Sequence, residues 1–203
     1  MNKRNINYYS QFETPDLILG AIDEERKIND PLWKNSGAEN EEEYNFWSKR
    51  ACGMACLKMI LSDLDKGIWP IVKLAKLCQK YGGYDLDTNL GLIYKPFTLF
   101  IKQEFNLLSE VVENLDIKRI GIEVKKGNYP IVSVHPDIRD KENKEPNKKG
   151  GHLVLVVGCD DFKKELIIHN PAGVYNLSQE NYHLSEEEFN KFFARRGIIV
   201  HKD

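Results

Sequence analysis

This 203-residue chain has no apolar run long enough to cross a bilayer, because nowhere do 18 consecutive apolar residues occur. It also lacks an excess of charge of either sign: 29 Lys and Arg residues nearly balance 31 Asp and Glu residues, for a net charge of −2. A global basic field that recruits nucleic acid or anionic lipid is therefore excluded. The basic residues Lys3 and Arg4 are not followed by an apolar stretch, so we expect no secretory signal and a soluble, cytoplasmic protein.

Cysteine is scarce, and the four residues Cys52, Cys56, Cys78 and Cys159 lack the dense spacing of a disulfide scaffold. We therefore expect reduced thiols, with Cys78 and Cys159 packed in the core. Cys56 follows Cys52 by one helical turn, which leaves open half of a metal site or a redox switch. A tetrahedral zinc site usually has closer-set ligand pairs and another such pair elsewhere, so we expect neither a metal nor a cofactor.

The composition is that of a folded globular protein, with 41% hydrophobic and 10% aromatic residues. The length fits a single domain that spans residues 1–203. We divide it into an N-terminal arm (1–50), a helical part (51–128) and a sheet part (129–203). The arm is too aromatic for a free tail, and we expect it to be partly helical around Asp16 to Glu25 and Glu41 to Trp47.

Apolar residues recur at helical spacing through the middle of the chain. They predict a buried helix from Cys52 to about Asp63, a second helix from Pro70 to the glycines Gly82 and Gly83, and a third over Lys95 to Phe105. The amphipathic stretch Leu115 to Val124 fits either a helix or a strand.

The period then changes to that of strands, which indicates an α+β domain with helices first and an antiparallel sheet second. The run from His152 to Gly158 is apolar at nearly every position, so neither face of a strand formed by it can be solvent-exposed. It therefore predicts a central strand that is buried on both faces. Ser185 and Glu188 form a capping box for a helix to about Arg195. The other predicted strands are Tyr129 to His135, Glu165 to His169 and Gly197 to His201, and we expect the charged stretch Arg139 to Lys149 to be a mobile loop.

Three residues form a pattern typical of thiol chemistry. Cys52 stands at a helix start, where backbone N–H groups and the helix dipole favour thiolate, the nucleophilic form. His152 opens the central strand just after Gly150-Gly151, and Asn170 ends the next strand along the chain. Since antiparallel neighbours bring the start of one strand beside the end of the other, the Asn170 side-chain oxygen is expected to accept a bond from the His152 ring and fix its tautomer.

These residues also carry a family resemblance. Cys52-Gly53 at a helix start, Gly151-His152 leading into the apolar strand, and Asn170-Pro171 resemble, in this order, the papain-like cysteine peptidases that cleave bacteriocin leader peptides (family C thirty-nine) and their stand-alone relatives. The segment Leu184 to Phe189 resembles the helix that follows the third catalytic residue there. The resemblance covers most of residues 8–200, and it implies a papain-like α+β fold that acts on peptide or amide bonds.

The resemblance also implies roles for individual residues. Cys52 would be the nucleophile, His152 the general base and acid, and Asn170 the orienting residue. Those peptidases usually have Asp before the Pro; Asn fills the equivalent role in papain, although it removes a charge that would stabilise imidazolium. A Gln six residues before the Cys usually donates to the oxyanion, but Phe46 stands at that spacing, so Gln11 of Tyr9-Ser10-Gln11 is the candidate donor, assisted by the Cys52 backbone N–H.

The leading functional hypothesis is a cysteine peptidase or amidohydrolase that forms a thioester acyl-enzyme. Two alternatives stay open: an acyltransferase that transfers the same acyl group to an amine, and a peptide-binding domain whose catalytic site has become inactive. We expect a peptide or amide substrate and neither nucleic acid nor membrane as a partner. The natural substrate and the oligomeric state remain open.

Overall fold

A computed structural model describes residues 2–17, 28–87 and 91–202 of the chain. Within these ranges none of the helices is long and apolar enough to cross a membrane. The predicted helix from Asp16 to Glu25 lies mostly outside the described residues, and the described part ends in a 3-10 helix, Pro15–Leu17. The described helices are α1 (Glu41–Ser48), α2 (Cys52–Asp63), α3 (Ile71–Lys80), α4 (Tyr94–Phe105), α5 (Ile117–Lys125) and α6 (Glu186–Phe192). The described strands are β1 (Asn2–Lys3), β2 (Ser109–Glu113), β3 (Tyr129–Val134), β4 (His152–Asp160), β5 (Glu165–His169), β6 (Tyr182–Ser185) and β7 (Phe193–Val200).

The described strands form one antiparallel sheet in the order β2-β7-β3-β4-β5-β6, and β1 pairs with the far end of β4. The α+β class with a C-terminal antiparallel sheet is therefore confirmed. The sequence patterns missed β1, β2 and β6. Of these, β2 lies inside the part that was predicted to be helical, and it pairs with β7 at the sheet edge.

Two apolar clusters cover the two faces of the sheet. Along β4, Leu153 and Leu155 face the cluster built with α1 to α4, whereas Val154 and Val156 face the cluster that includes residues of α5 and α6. Every residue of β4 is buried, as side chains that alternate between two packed faces require. The prediction of a central strand that is buried on both faces is confirmed.

The predicted helices from Cys52 and Pro70, and the third helix, begin within one residue of their expected starts. The ambiguous stretch Leu115 to Val124 is helical in α5. The Asp116 side chain accepts a hydrogen bond from the Arg119 backbone nitrogen at 2.7 Å, so an N-cap on this stretch resolves the ambiguity in favour of the helix.

The closing helix is shorter than predicted, because α6 ends at Phe192 and not near Arg195. The Ser185–Glu188 capping box is present, so the start of the helix is correct. Phe193 pairs with Val134 of β3 and is buried in the same cluster as Phe192. Strand pairing and burial of this side chain therefore outweigh the helical pattern, and β7 begins four residues earlier than expected.

The charged stretch that was predicted as a mobile loop is attached to α6 at both ends. The Lys141 ammonium lies 3.3 Å from a Glu188 carboxylate oxygen, and the Lys149 ammonium donates to the Asn190 carbonyl at 2.6 Å. Arg139 does not belong to the loop, because it ends a 3-10 helix, Pro136–Arg139, that follows β3.

Candidate active site

Cys52 is the first residue of α2, and its half-buried thiol lies against the start of β4. Backbone hydrogen bonds from Gly53 and from Leu153 of β4 act on the sulfur. The first N–H groups of a helix have no partner within it, so they are available to such an acceptor. Because Leu153 directly follows His152, the thiol and the histidine are brought to the same corner of the sheet.

Gly53 allows this close approach of α2 to the sheet. A Cβ atom at this position would lie 2.6 Å from Leu92 Cδ2 and 3.1 Å from Leu153 Cδ1. Gly53 therefore has a packing role, because the absence of a side chain lets the start of α2 lie against β4.

His152 and Asn170 are hydrogen-bonded, with 2.7 Å between the His152 Nε2 and Asn170 Oδ1 atoms. The Ala172 backbone nitrogen donates to the same Asn170 atom at 3.1 Å, which identifies that atom as the side-chain oxygen. An amide oxygen only accepts, so Nε2 carries the hydrogen and Nδ1 keeps its lone pair. The ring is thereby held in the tautomer that presents a basic nitrogen.

The backbone around Asn170 is anchored from two directions. The Tyr8 hydroxyl donates to the Asn170 carbonyl at 3.0 Å, and the Asn170 backbone nitrogen donates to the Gln179 carbonyl at 2.8 Å. The preceding residue, His169, contacts the Ile6 carbonyl through Nε2 at 2.8 Å and accepts from the Asn181 backbone at Nδ1. Both His169 ring nitrogens are thus occupied, as expected for a structural histidine.

Gln11 is buried between the end of α1 and the segment that follows Asn170. Its backbone nitrogen donates to the Pro171 carbonyl at 3.0 Å, and its side-chain Nε2 donates to the Ser48 carbonyl at 2.8 Å. Ser48 lies four residues before Cys52, so the folded arm brings Gln11 across the long insertion to the region of the thiol. One Nε2 hydrogen is left for a further acceptor.

Phe46, at the spacing where related enzymes place the oxyanion Gln, packs its ring against the Arg50 guanidinium with 4.2 Å to the ring centroid. It has no polar hydrogen to donate. Phe46 therefore cannot act as a side-chain hydrogen-bond donor.

The electrostatics differ from the prediction that the helix start favours thiolate. Burial raises the pKa of the Cys52 thiol, and the backbone hydrogen bonds and the Arg139 charge lower it by less. Burial likewise lowers the pKa of His152 from 6.5 to about 4; the bond to Asn170 raises this pKa and the Arg139 charge lowers it further. Burial therefore favours the neutral thiol and the neutral imidazole, and this desolvation outweighs the effect of the helix terminus.

Arg139 is the residue of this region that the sequence patterns missed, since nothing distinguishes it within a charged stretch. Its Nε donates to the Ala172 carbonyl at 2.7 Å. The residue is half-buried, and its positive charge affects the pKa of both Cys52 and His152.

Cys56 is buried one turn below Cys52, and its thiol contacts the Leu153 carbonyl at 3.9 Å. Burial raises its pKa well above the ordinary value, so it is held as a neutral thiol. Cys78 and Cys159 lie in the two apolar clusters, in agreement with a packing role, and all four thiols are free. In the described ranges no three His, Cys, Asp or Glu side chains are grouped as a metal site requires.

Comparisons with known proteins agree with this geometry. No curated protein matches the chain. A crystal structure from Bacillus anthracis, described as that of a C39-like peptidase, matches with a TM-score of 0.53 and 15% identity over 76% of this chain and 90% of that one. This likeness confirms the papain-like α+β fold, and family and fold together support a peptidase function. The profile described as the Peptidase_C39 like family matches residues 4–198, and the chain therefore belongs to that family.

Proposed function

We propose that the chain is a cysteine peptidase that cleaves a peptide bond with Cys52, His152 and Asn170. The observation that carries the proposal is the 2.7 Å bond between His152 Nε2 and Asn170 Oδ1, at the start of the strand against which the Cys52 thiol packs. This arrangement supplies a nucleophile, a base and a group that orients the base.

In the proposed first step, His152 Nδ1 takes the thiol proton while the Cys52 sulfur attacks the substrate carbonyl carbon. The pKa values of thiol and imidazole disfavour a preformed ion pair, so proton transfer accompanies attack. The Asn170 oxygen accepts from Nε2–H throughout and stabilises the imidazolium that forms.

The carbonyl oxygen becomes negative during attack and needs hydrogen-bond donors. The Cys52 backbone N–H and the remaining Gln11 Nε2 hydrogen are the proposed donors. When the tetrahedral intermediate collapses, the carbon–nitrogen bond breaks, and the proton on Nδ1 passes to the leaving amine. A water molecule, deprotonated by Nδ1, then attacks the thioester, which releases the acid and restores the thiol.

The nucleophile and base are tested by alkylation with iodoacetamide at pH 7.5, with the adduct on each cysteine followed by peptide mass spectrometry. We expect Cys52 to react faster than Cys78 and Cys159, and His152→Ala to slow only Cys52. His183→Ala, at an exposed site on β6, is the matched control and should leave the rates unchanged. Equal rates at the three cysteines, or a Cys52 rate indifferent to His152→Ala, would refute the pair.

A second assay separates the peptidase from the two alternatives. A peptide library is incubated with wild-type protein and with Cys52→Ala, with and without glycinamide as an amine acceptor. Peptidase activity gives Cys52-dependent free acids, whereas an acyltransferase gives glycinamide adducts in their place. Peptide binding that is retained by both proteins, without any product, would identify a retired binding domain.

A further inference from the structure

Arg139 is attached to the same short segment that orients His152. Its Nε donates to the Ala172 carbonyl at 2.7 Å, and the Ala172 backbone nitrogen donates at 3.1 Å to the Asn170 oxygen that holds the imidazole. Among the described residues this hydrogen bond uses Nε, and no hydrogen bond uses Nη1 or Nη2. The Arg139 guanidinium is therefore held through Nε beside the proposed catalytic residues.

The charge of Arg139 is not neutralised by a carboxylate in ion-pair contact within the described ranges. Asp137 is the acidic residue whose charge acts on it. That carboxylate is half exposed and lies 3.3 Å from His135 Nδ1. The guanidinium charge, in contrast, acts on both Cys52 and His152.

The Arg139 guanidinium is half-buried beside the proposed catalytic residues. Burial makes a cation costly unless an anion offsets the cost. The thiol and imidazole are together neutral in either protonation arrangement, so this pair does not offset the Arg139 charge. Among the described residues, Asp137 is the carboxylate whose charge acts on Arg139, without an ion-pair contact. A guanidinium is a planar fork of N–H groups that matches the two oxygens of a carboxylate, and the bond of Arg139 to the described residues uses its Nε.

We propose that Arg139 binds a carboxylate of the substrate beside the scissile bond, so that the site selects acidic peptides. The inference rests on the proposed function and adds the substrate class to it. The carboxylate comes either from an Asp or Glu side chain or from the free C-terminus of the peptide, and the probes below separate these two sources.

The test uses electrophiles that report on Cys52 without any need for a known substrate. Bromoacetyl-alanyl-alanine is compared with its C-terminal amide, and bromoacetyl-glutamate amide with bromoacetyl-glutamine amide. In each reaction the Cys52 sulfur forms a bond to the methylene carbon, bromide leaves with the electron pair, and the thiol proton goes to His152 or water. Within each pair the thiolate fraction is the same, so the ratio of rates reports on carboxylate binding alone.

We expect at least one carboxylate probe to label Cys52 on the order of tenfold faster than its amide partner, as a charge-assisted hydrogen bond provides. That preference should disappear in Arg139→Gln and survive in part in Arg139→Lys. Lys102→Gln removes the same charge from an exposed position on α4 and should keep the full preference. The pair that shows the effect identifies the source of the carboxylate.

Two outcomes overturn the inference: no carboxylate preference in the wild-type protein, or a preference that is unchanged in Arg139→Gln. The first does not depend on whether the variant folds. These failures differ from failure of the proposed function, which shows as Cys52 labelling that does not respond to His152→Ala. If Arg139 only supported Ala172, its substitution would change the labelling rates of both probes in a pair equally. The ratio of the two rates would then stay the same.

Discussion

Replacing Asn170 with Asp tests how the environment of His152 sets its proton affinity. The substitution keeps the shape of the side chain. The oxygen that contacts His152 Nε2 at 2.7 Å also keeps its bond from the Ala172 nitrogen. The Asn170 Nδ2 atom is buried without a hydrogen-bond partner, so its replacement by oxygen breaks no bond.

The magnitude follows from the geometry of the pair. Charges centred about 4 Å apart attract by about 4 kcal/mol at an effective dielectric constant of about 20, which corresponds to about 3 pKa units. Burial of the new carboxylate offsets part of this, so a rise of about 1–3 units is expected. The pKa of His152 should therefore move from about 4 to between about 5 and 7.

The assay is an NMR titration of the His152 ring resonances between pH 3 and pH 9 in wild-type protein and Asn170→Asp. Alkylation of Cys52 by iodoacetamide at pH 6 should also accelerate by about tenfold or more, because a charged imidazole stabilises the thiolate.

A His152 pKa that stays near 4 or falls in Asn170→Asp would refute the assignment of the Asn170 oxygen as its partner. Asn170→Ala is the control for loss of the contact without a new charge. It should slow alkylation, because nothing then holds the Nε2–H tautomer.

Three further predictions concern stability and the oxyanion. The folded pKa of His152, about 4, lies below the unfolded value of 6.5, so the stability present above pH 6.5 should be lost as pH falls towards 4, by about 3 kcal/mol. Urea unfolding at both pH values should show a loss that is larger in wild-type protein than in His152→Gln by about this amount, because other groups such as His169 contribute equally to both proteins. Gln11→Ala should lower kcat for peptide hydrolysis by about 10²–10³ with little effect on iodoacetamide alkylation, which forms no oxyanion; a parallel loss in both assays would contradict the donor role. Gly173→Ala should destabilise the fold by about 1–3 kcal/mol, because its Cβ would lie 2.1 Å from the Ser178 carbonyl oxygen. Gly121→Ala, where the Cβ has 3.9 Å to the Cys159 sulfur, is the matched control for thermal denaturation and should not be destabilising.

Several parts of the fold were predictable because local patterns and tertiary packing agree. The start of α2, the buried run of β4 and the Ser185–Glu188 capping box all follow from short-range periodicity or hydrogen bonding. The edge strands β1, β2 and β6 are short and mostly half-exposed or exposed. Such segments have little apolar alternation of their own, and pairing partners far along the chain decide their conformation.

The candidate site divides in the same way. The order of Cys52, His152 and Asn170, with the strand pattern between the last two, was enough to predict that His152 and Asn170 are neighbours. Arg139 was missed because its importance comes from the Ala172 carbonyl, 33 residues later, which the fold brings to its side.

The amino-acid sequence by itself determined the α+β class, the family resemblance and the identity of the candidate nucleophile, base and orienting residue, because these depend on residue type and order. The tertiary structure decided the direction of the pKa shifts in the site and the surroundings of Gln11 and Arg139. Burial is a property of the whole fold, and here it raises the pKa of Cys52 and lowers that of His152 against the local effect of the helix start. A motif can thus name a catalytic pair, but the packing around that pair sets its charge.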